Sequence, residues 1–497
     1  MKWINTFGNV IKFKHEILKD YKKRRIKKVE DLNKEISKAF GNSIDRRKFL
    51  KLAAAFGVST ATGVTSAYAF SSSAKAKVVI IGGGCAGISM AARLLRWLRT
   101  PDITIIDPSD THYYQPGFTL IASGVYDKDE VYKAQKDCIP SGAKWIKDSV
   151  VAVDPDNRLV YTQKNGSVGY DFMVLAPGLQ LNWNGAEGID YKNLGVGDAH
   201  CMYIHEGAIK TWDGVQKFVK EGGKGIYTDT YTKHKCGGAP KKICLLTEHL
   251  SRKRGTRQNL QFNFYTASSE LYDVPYFTPR LLEIYKERDI NLNCNVRVKG
   301  IDTSAKKAYL EKVEKVVKEK VGTDGKKEKV VEKVATPIVE SYDFMHFLPP
   351  MGAPDFVKAS GLSWTEGSLA KEGWAMVDKE TLVHKKYPNI ISLGDVAGIP
   401  TSKTSAAIRK QTPIAAKNLI ALMEGRAPAE KYDGYAACPI ITDYGHIIMC
   451  EFDYNKKEKI SFPLSLLDMS HEQWVAWLLK VYVLKPMYFY GMLKGLV

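Results

Sequence analysis

The run KVVIIGGGCAGISMAARLLRWL, residues 77–98, constrains the fold more than any other stretch. Val78–Ile81 is short and wholly apolar, the pattern of a strand buried on both faces. Gly82, Gly83 and Gly84 follow, and Gly82, Gly84 and Gly87 satisfy G-x-G-x-x-G. In that pattern the first glycine allows a tight turn. The second lets backbone approach a pyrophosphate, and the third lets helix and strand pack closely. The helix that opens there offers free N–H groups and a positive dipole end to phosphate. The next apolar strand, ITIID, ends at Asp107, 20 residues beyond Gly87. An acid at that spacing binds ribose hydroxyls. The chain therefore opens on a dinucleotide-binding βαβ unit.

Two later stretches favour FAD. YDFMVLAPG, residues 170–178, is an apolar strand ending in a turn at Gly178, and NIISLGDVAGIPTSKTSAAIRKQ, residues 389–411, is a strand ending in Gly394-Asp395 before a helix. Both patterns are similar to those of flavoproteins with two dinucleotide-binding domains. There the aspartate meets a ribityl hydroxyl, and the helix N-terminus, here with Lys403 nearby, stabilises reduced anionic flavin. Because the first strand and Gly394-Asp395 are far apart in sequence, the FAD domain must be discontinuous. A second glycine fingerprint for a pyridine nucleotide is absent from APKKICLLTEHLSRKRGTRQNLQFNFYTASS, residues 239–269. The expected architecture is α/β, with two Rossmann-like dinucleotide-binding domains and an amphipathic helical C-terminal membrane-attachment region. The expected boundaries are a first FAD-domain segment at 77–200 and a second Rossmann-like domain with a charged hairpin at 201–340. The returning FAD-domain segment follows at 341–435 and a quinone and membrane interface at 436–497.

Residues 1–69 hold 16 Lys and Arg against 6 Asp and Glu, leaving +9 of the formal +19 for the rest of the chain. That balance favours an anionic partner, lipid or substrate. No aromatic-and-basic module for nucleic acid stands out. Within the leader, Arg46-Arg47, Phe49 and Leu50 precede a weakly apolar Ala/Gly/Ser/Thr stretch and then Ala67-Tyr68-Ala69. This is the pattern of a twin-arginine export signal, which places the protein at the periplasmic side of a bacterial cytoplasmic membrane.

The eight cysteines include no C-x-x-C pair, which argues against a metal cluster. Cys236, in KHKCGGAPKK (233–242), has lysine on one side and glycines on the other. Lysine favours a thiolate, and glycine lets another group come close to the sulfur.

From Lys77 onward the sequence resembles the sulfide:quinone oxidoreductases, most closely the branch that includes the mitochondrial enzyme. The motifs that carry the resemblance include HYYQPGFTLIASG (112–124), AKWIKDSVVAVDPD (143–156), KCGGAPKK (235–242), LPPMGAPD (348–355), GDVAGIPTSKTSAA (394–407), KYDGYAACPIIT (431–442) and EFDY (451–454). The resemblance implies FAD as the only dinucleotide, with contacts from Gln115 and Val150, and Cys236 as one of two redox cysteines. It implies that sulfide attacks a cysteine-bound sulfur, that the flavin takes two electrons and passes them to quinone, and that the sulfur leaves on an acceptor. The chain departs from the pattern at Val396, where the family carries its second redox cysteine. Cys201, in GDAHCMYIHEGAIKTW (197–212), is the expected replacement. It precedes a helix, whose dipole favours a thiolate, and His205 lies four residues on. Cys85 is expected against the nucleotide, Cys244 and Cys294 in the core, and Cys438 in a structural role. Cys138 and Cys450 carry no assignment.

EQWVAWLLKVYVLKPMYFYGMLKGLV, residues 472–497, is apolar and aromatic, interrupted by Lys480, Lys485 and Lys494. Pro486 should split it into two short helices lying in a membrane interface, lysines at the headgroups. Tyr444, Phe452 and Tyr454 are candidate quinone contacts. LEKVEKVVKEKVGTDGKKEKVVEKV, within 301–340, reads as a long solvated hairpin. Homo-oligomerisation is compatible with the sequence. The rival functions are a type-II NADH dehydrogenase, a flavoprotein subunit that reduces a cytochrome, and a non-catalytic sulfur carrier.

Overall fold

The computed structural model describes residues 70–321 and 327–497. The expected export leader, residues 1–69, lies outside the described residues. The first sheet is all-parallel, in the order Ile390–Ser392, Phe172–Leu175, Lys77–Ile81, Asp102–Ile106, Lys144–Ile146. Apolar runs far apart in sequence thus form one sheet, with Ile390–Ser392 returning beside Phe172–Leu175. Val78, Val79 and Ile80 are fully buried, as a central parallel strand covered on both faces requires. Helix Cys85–Trp97 covers one face, beside helix Ser405–Met423.

The second sheet is also parallel, in the order Ala199–His200, Phe344–His346, Gly223–Thr228, Leu260–Tyr265, Ile290–Asn293. Helix Ala239–Lys253 joins Gly223–Thr228 to Leu260–Tyr265. ICLLTEHLS is therefore helical, and the apolar LQFNFY run is a strand. At the carboxyl end of Gly223–Thr228 the buried Asp229 carboxylate accepts from Thr266 Oγ1 at 2.8 Å and Ala267 N at 3.0 Å. A dinucleotide fingerprint would place glycines at this turn. The charged run forms antiparallel strands Lys307–Val321 and Lys327–Ser341, which leave Val317 and Val339 more than half exposed.

The C-terminal segment differs from expectation. Helix Trp474–Leu478, a π-turn at Leu479–Val483 and helix Leu484–Tyr490 follow one another, so Pro486 lies in the first turn of the last helix and does not divide two helices. Proline is tolerated there because the first N–H groups of a helix have no intrahelical partner. Trp477, Tyr488, Phe489, Met492 and Leu493 are buried against the body of the protein. Of the lysines, Lys480 is buried and donates to Pro116 O at 2.9 Å, while Lys485 pairs with Glu130 at 2.8 Å. Among the described residues, no helix is long and apolar enough to cross a membrane.

Candidate active site

A cavity of about 1210 Å³ opens at the carboxyl ends of the first sheet's strands, where open α/β sheets bind their ligands. Gly82–Gly84, Asp107, Gly178 and Asp395, each following a different strand, line it. Gly82 has φ +102°, and a Cβ there would stand 2.3 Å from Ala176 O. A Cβ on Gly87 would stand 1.9 Å from Gly82 O, so Gly87 serves the contact between helix and turn. A Cβ on Gly84 would meet nothing within 4 Å, which leaves its backbone open to the cavity.

Asp107 accepts from Gly83 N at 2.6 Å and Ser109 N at 2.8 Å. Burial raises its pKa against these two hydrogen bonds. Asp395 is pushed up by burial, with Lys235 and Lys403 opposing. Lys403 donates to the carbonyls of Asp395 (2.6 Å) and Ala397 (3.0 Å), its ammonium 3.8 Å from the Trp374 ring centroid. Burial pulls its pKa down to about 7. Thr404 caps the helix that follows, accepting from Ala407 N at 3.1 Å, and Lys403–Ala406 line the cavity. Gln115 Oε1 accepts from Lys235 Nζ at 2.7 Å at the cavity wall.

Besides Gly87, two expected cofactor residues stand outside the lining. Val150 lies on strand Val150–Asp154, which pairs with Leu159–Thr162, and packs on the smaller core cluster. Gly394 has φ +78°, donates its N–H to Gln411 Oε1 at 2.9 Å, and shapes the turn that presents Asp395.

Cys236 lines the cavity in a left-handed conformation, φ +50°. Its N–H donates to Lys403 O at 3.0 Å, which ties the cysteine loop to the loop after Asp395. The neighbouring sulfur is Cys438 Sγ, at 3.6 Å. Lys242 Nζ donates to Cys236 Sγ at 3.1 Å, and Gly238 N donates to Cys438 Sγ at 3.2 Å. The Cys438 hydrogen bond lowers the Cys236 pKa well below an ordinary thiol. Burial opposes this, and Lys242 and Lys480 add to the lowering. The Cys438 thiol is pushed well up by the same hydrogen bond and by burial. Burial disfavours the charge on Lys242, but the Cys236 and Cys438 sulfurs outweigh it and raise its pKa. These directions favour a thiolate at Cys236 and a thiol at Cys438, with the Lys242 ammonium beside the former.

Cys201 is the partner that the sequence suggests for Cys236, and the structure does not bring those sulfurs together. Cys201 is fully buried in the main core, and burial pushes its thiol up to about 12. It stands four residues ahead of helix His205–Glu221, too far to profit from a dipole felt in the first turn. His205 turns to Lys128 O, 2.8 Å away, instead of towards Cys201. Tyr444 donates to Ser123 O, Phe452 is fully buried and Tyr454 packs on Tyr432, and none of the three lines the cavity. Cys438 and Lys480 escape sequence reasoning. Each reaches the site through packing between distant segments: Cys438 lies in the motif KYDGYAACPIIT but reads there as structural, and Lys480 has no local motif to mark it.

The double parallel-sheet fold and the glycine-lined cavity define a flavoprotein class. Residues 76–210 match the family model described as pyridine nucleotide-disulphide oxidoreductase. Among solved structures, a chain in the Tetrahymena thermophila mitochondrial ATP synthase F1Fo tetramer matches with TM-score 0.67 and 17% identity, over 84% of this chain and 96% of that one. The sulfide:quinone oxidoreductase of Aquifex aeolicus matches with TM-score 0.58 and 22% identity, over 76% and 84%. These two likenesses concern the fold. A mitochondrial sulfide:quinone oxidoreductase of Dictyostelium discoideum is 37% identical, over 84% of this chain and 86% of its own length. The chain belongs to the sulfide:quinone oxidoreductase family.

Proposed function

We propose that the protein is an FAD-dependent enzyme that oxidises sulfide at Cys236 and passes the electrons to quinone. The observation that carries this is the Cys236 sulfur, 3.1 Å from Lys242 Nζ and opening onto the same cavity as the dinucleotide cradle. The residues suit FAD. Gly82–Gly84 present backbone to a pyrophosphate, Asp107 suits ribose hydroxyls, and Asp395 with the N-terminus of helix Ser405–Met423 would face the ring-bearing end. When bound, the flavin supplies two-electron acceptance and release. The chain's own groups concentrate HS⁻ beside Lys242 and Lys480, keep the sulfur ionised and exclude bulk water.

The cavity is also lined by Ile460, Phe462, Leu464, Leu484 and Met487. Phe462 is 57% exposed and the nearby Leu466 68%. An apolar rim at a cavity mouth suits monotopic attachment and entry of a lipid-borne quinone. We assign the protein to the periplasmic membrane face by twin-arginine export. Arg46-Arg47 in the sequence supports this, whereas the matched Dictyostelium relative is named as mitochondrial.

The test is sulfide-dependent reduction of a short-chain quinone by the holoenzyme. Wild type should turn over with sulfide, Cys236→Ser should not, and NADH should not replace sulfide. Turnover with NADH would favour the NADH dehydrogenase alternative.

A further inference from the structure

We propose that Arg409 and Lys410 form a docking site for the phosphate of an anionic lipid headgroup and so seat an opening of the cavity on a negatively charged membrane leaflet. This rests on the membrane attachment proposed above.

Lys410, Lys431, Asp433, Lys459 and Phe462 line the cavity and are exposed, so they mark an opening of it. Charge is unevenly matched there. Lys459 pairs with Asp433, and Lys431 pairs with Glu380 at 3.0 Å. The Glu451 carboxylate is buried and accepts from the Tyr435 hydroxyl and from Ser461 N, the latter at 2.7 Å. Arg409 and Lys410 remain. Among the described residues neither pairs with a carboxylate. Both cations stand over the Tyr435 ring, 5.9 Å and 5.6 Å from its centroid. Two like charges gathered on one ring repel each other, and an anion between them removes the repulsion.

The apolar half of the site adjoins the cations. The Tyr435 hydroxyl accepts from Ser461 Oγ at 3.3 Å, and Phe462 follows Ser461 in the chain. Phe462 and Leu466, the latter on the turn Leu464–Leu466, are both more than half exposed. An anionic lipid presents the two matching surfaces. Its phosphate accepts from the guanidinium fork of Arg409 and from the Lys410 ammonium, and its acyl chains receive Phe462 and Leu466. A free phosphate ion would satisfy the cations and leave the two apolar side chains in water. A quinone carried in that leaflet meets the cavity at this opening.

The leader, residues 1–69, carries 16 Lys and Arg of its own, so the test compares full-length chains that differ only at the proposed site. The FAD-loaded protein is sedimented at low salt with vesicles of pure phosphatidylcholine and with vesicles of an equimolar mixture of phosphatidylcholine and phosphatidylglycerol. Wild type should bind the mixed vesicles more tightly. The double variant Arg409→Gln with Lys410→Gln should lose roughly 25-fold on mixed vesicles, about five-fold for each charge removed, and nothing on phosphatidylcholine. That loss should shrink as salt rises. Arg409→Lys with Lys410→Arg keeps both charges and should bind as wild type does. Phe462→Ser should weaken binding to both kinds of vesicle alike. Equal binding of wild type to both vesicles leaves membrane attachment standing and overturns the headgroup site. A full phosphatidylglycerol preference in the Gln variant overturns it too, because the leader then carries the attraction. So does an equal loss in the variant that keeps both charges. If wild type binds neither kind of vesicle, the membrane attachment itself fails and the headgroup site falls with it.

Discussion

Tyr488 donates to His112 Nε2 at 2.7 Å, joining the C-terminal segment to the cofactor cradle. The direction follows from the other ring nitrogen. His112 Nδ1 lies 3.2 Å from Gly83 O and 3.2 Å from Gln135 Oε1, both acceptors, so Nδ1 carries the proton. Tyr488→Phe leaves a buried imidazole nitrogen without its donor. We expect a loss of about 1–3 kcal/mol in stability, read as a lower denaturant midpoint at unchanged slope.

Acid should unfold the protein through its buried histidines. Burial lowers the pKa of His112 and His200 to about 4 and of His346 to about 3, against 6.5 for the free side chain. Each is neutral in the fold and takes up a proton on unfolding below pH 6.5. Their contribution is therefore complete above pH 6.5 and falls as pH drops towards 4, by up to about 1.4 kcal/mol per histidine per pH unit. Melting temperature followed from pH 7.5 to 4.5 should decline steadily below 6.5. A flat profile to pH 5 would show these sites are not held neutral.

Cys236 should react with iodoacetamide at pH values where an ordinary thiol is silent, because the Cys438 hydrogen bond and Lys242 hold it ionised. Cys438→Ala and Lys242→Met should each move the alkylation profile to higher pH. Peptide-resolved alkylation across pH 5–9 checks this, and an unmoved profile in both variants would remove the proposed cause.

Gly238→Ala should spread the sulfurs. The new Cβ meets Ile440 Cδ1 and Cys438 Sγ on the rigid strand Ala436–Asp443. The Cys236 alkylation profile should move to higher pH while flavin content holds, since Gly238 does not line the cavity. An unmoved profile would mean the strand yields.

The cofactor end of the site is legible in the sequence because its determinants are local. Gly82–Gly87 and Asp107 belong to one βαβ unit, and Gly394-Asp395 marks the end of a strand that joins the same sheet. The sulfur end is not. Cys438 sits on an apolar strand and reads as a structural residue, and only the packing of helix Ala239–Lys253 against that strand brings it to Cys236. Cys201 misleads because a thiol just ahead of a helix reads as activated, whereas burial, invisible in sequence, dominates its titration. Lys480 is expected at lipid headgroups. It folds inward to Pro116 because the C-terminal segment packs on the cofactor domain.

The most direct test of the central claim is anaerobic flavin absorbance of the purified holoenzyme titrated with sulfide. Wild type should bleach near one equivalent, and Cys236→Ser should stay oxidised. Wild-type flavin that remains oxidised under excess sulfide, or equal bleaching in Cys236→Ser, would contradict sulfide oxidation through Cys236.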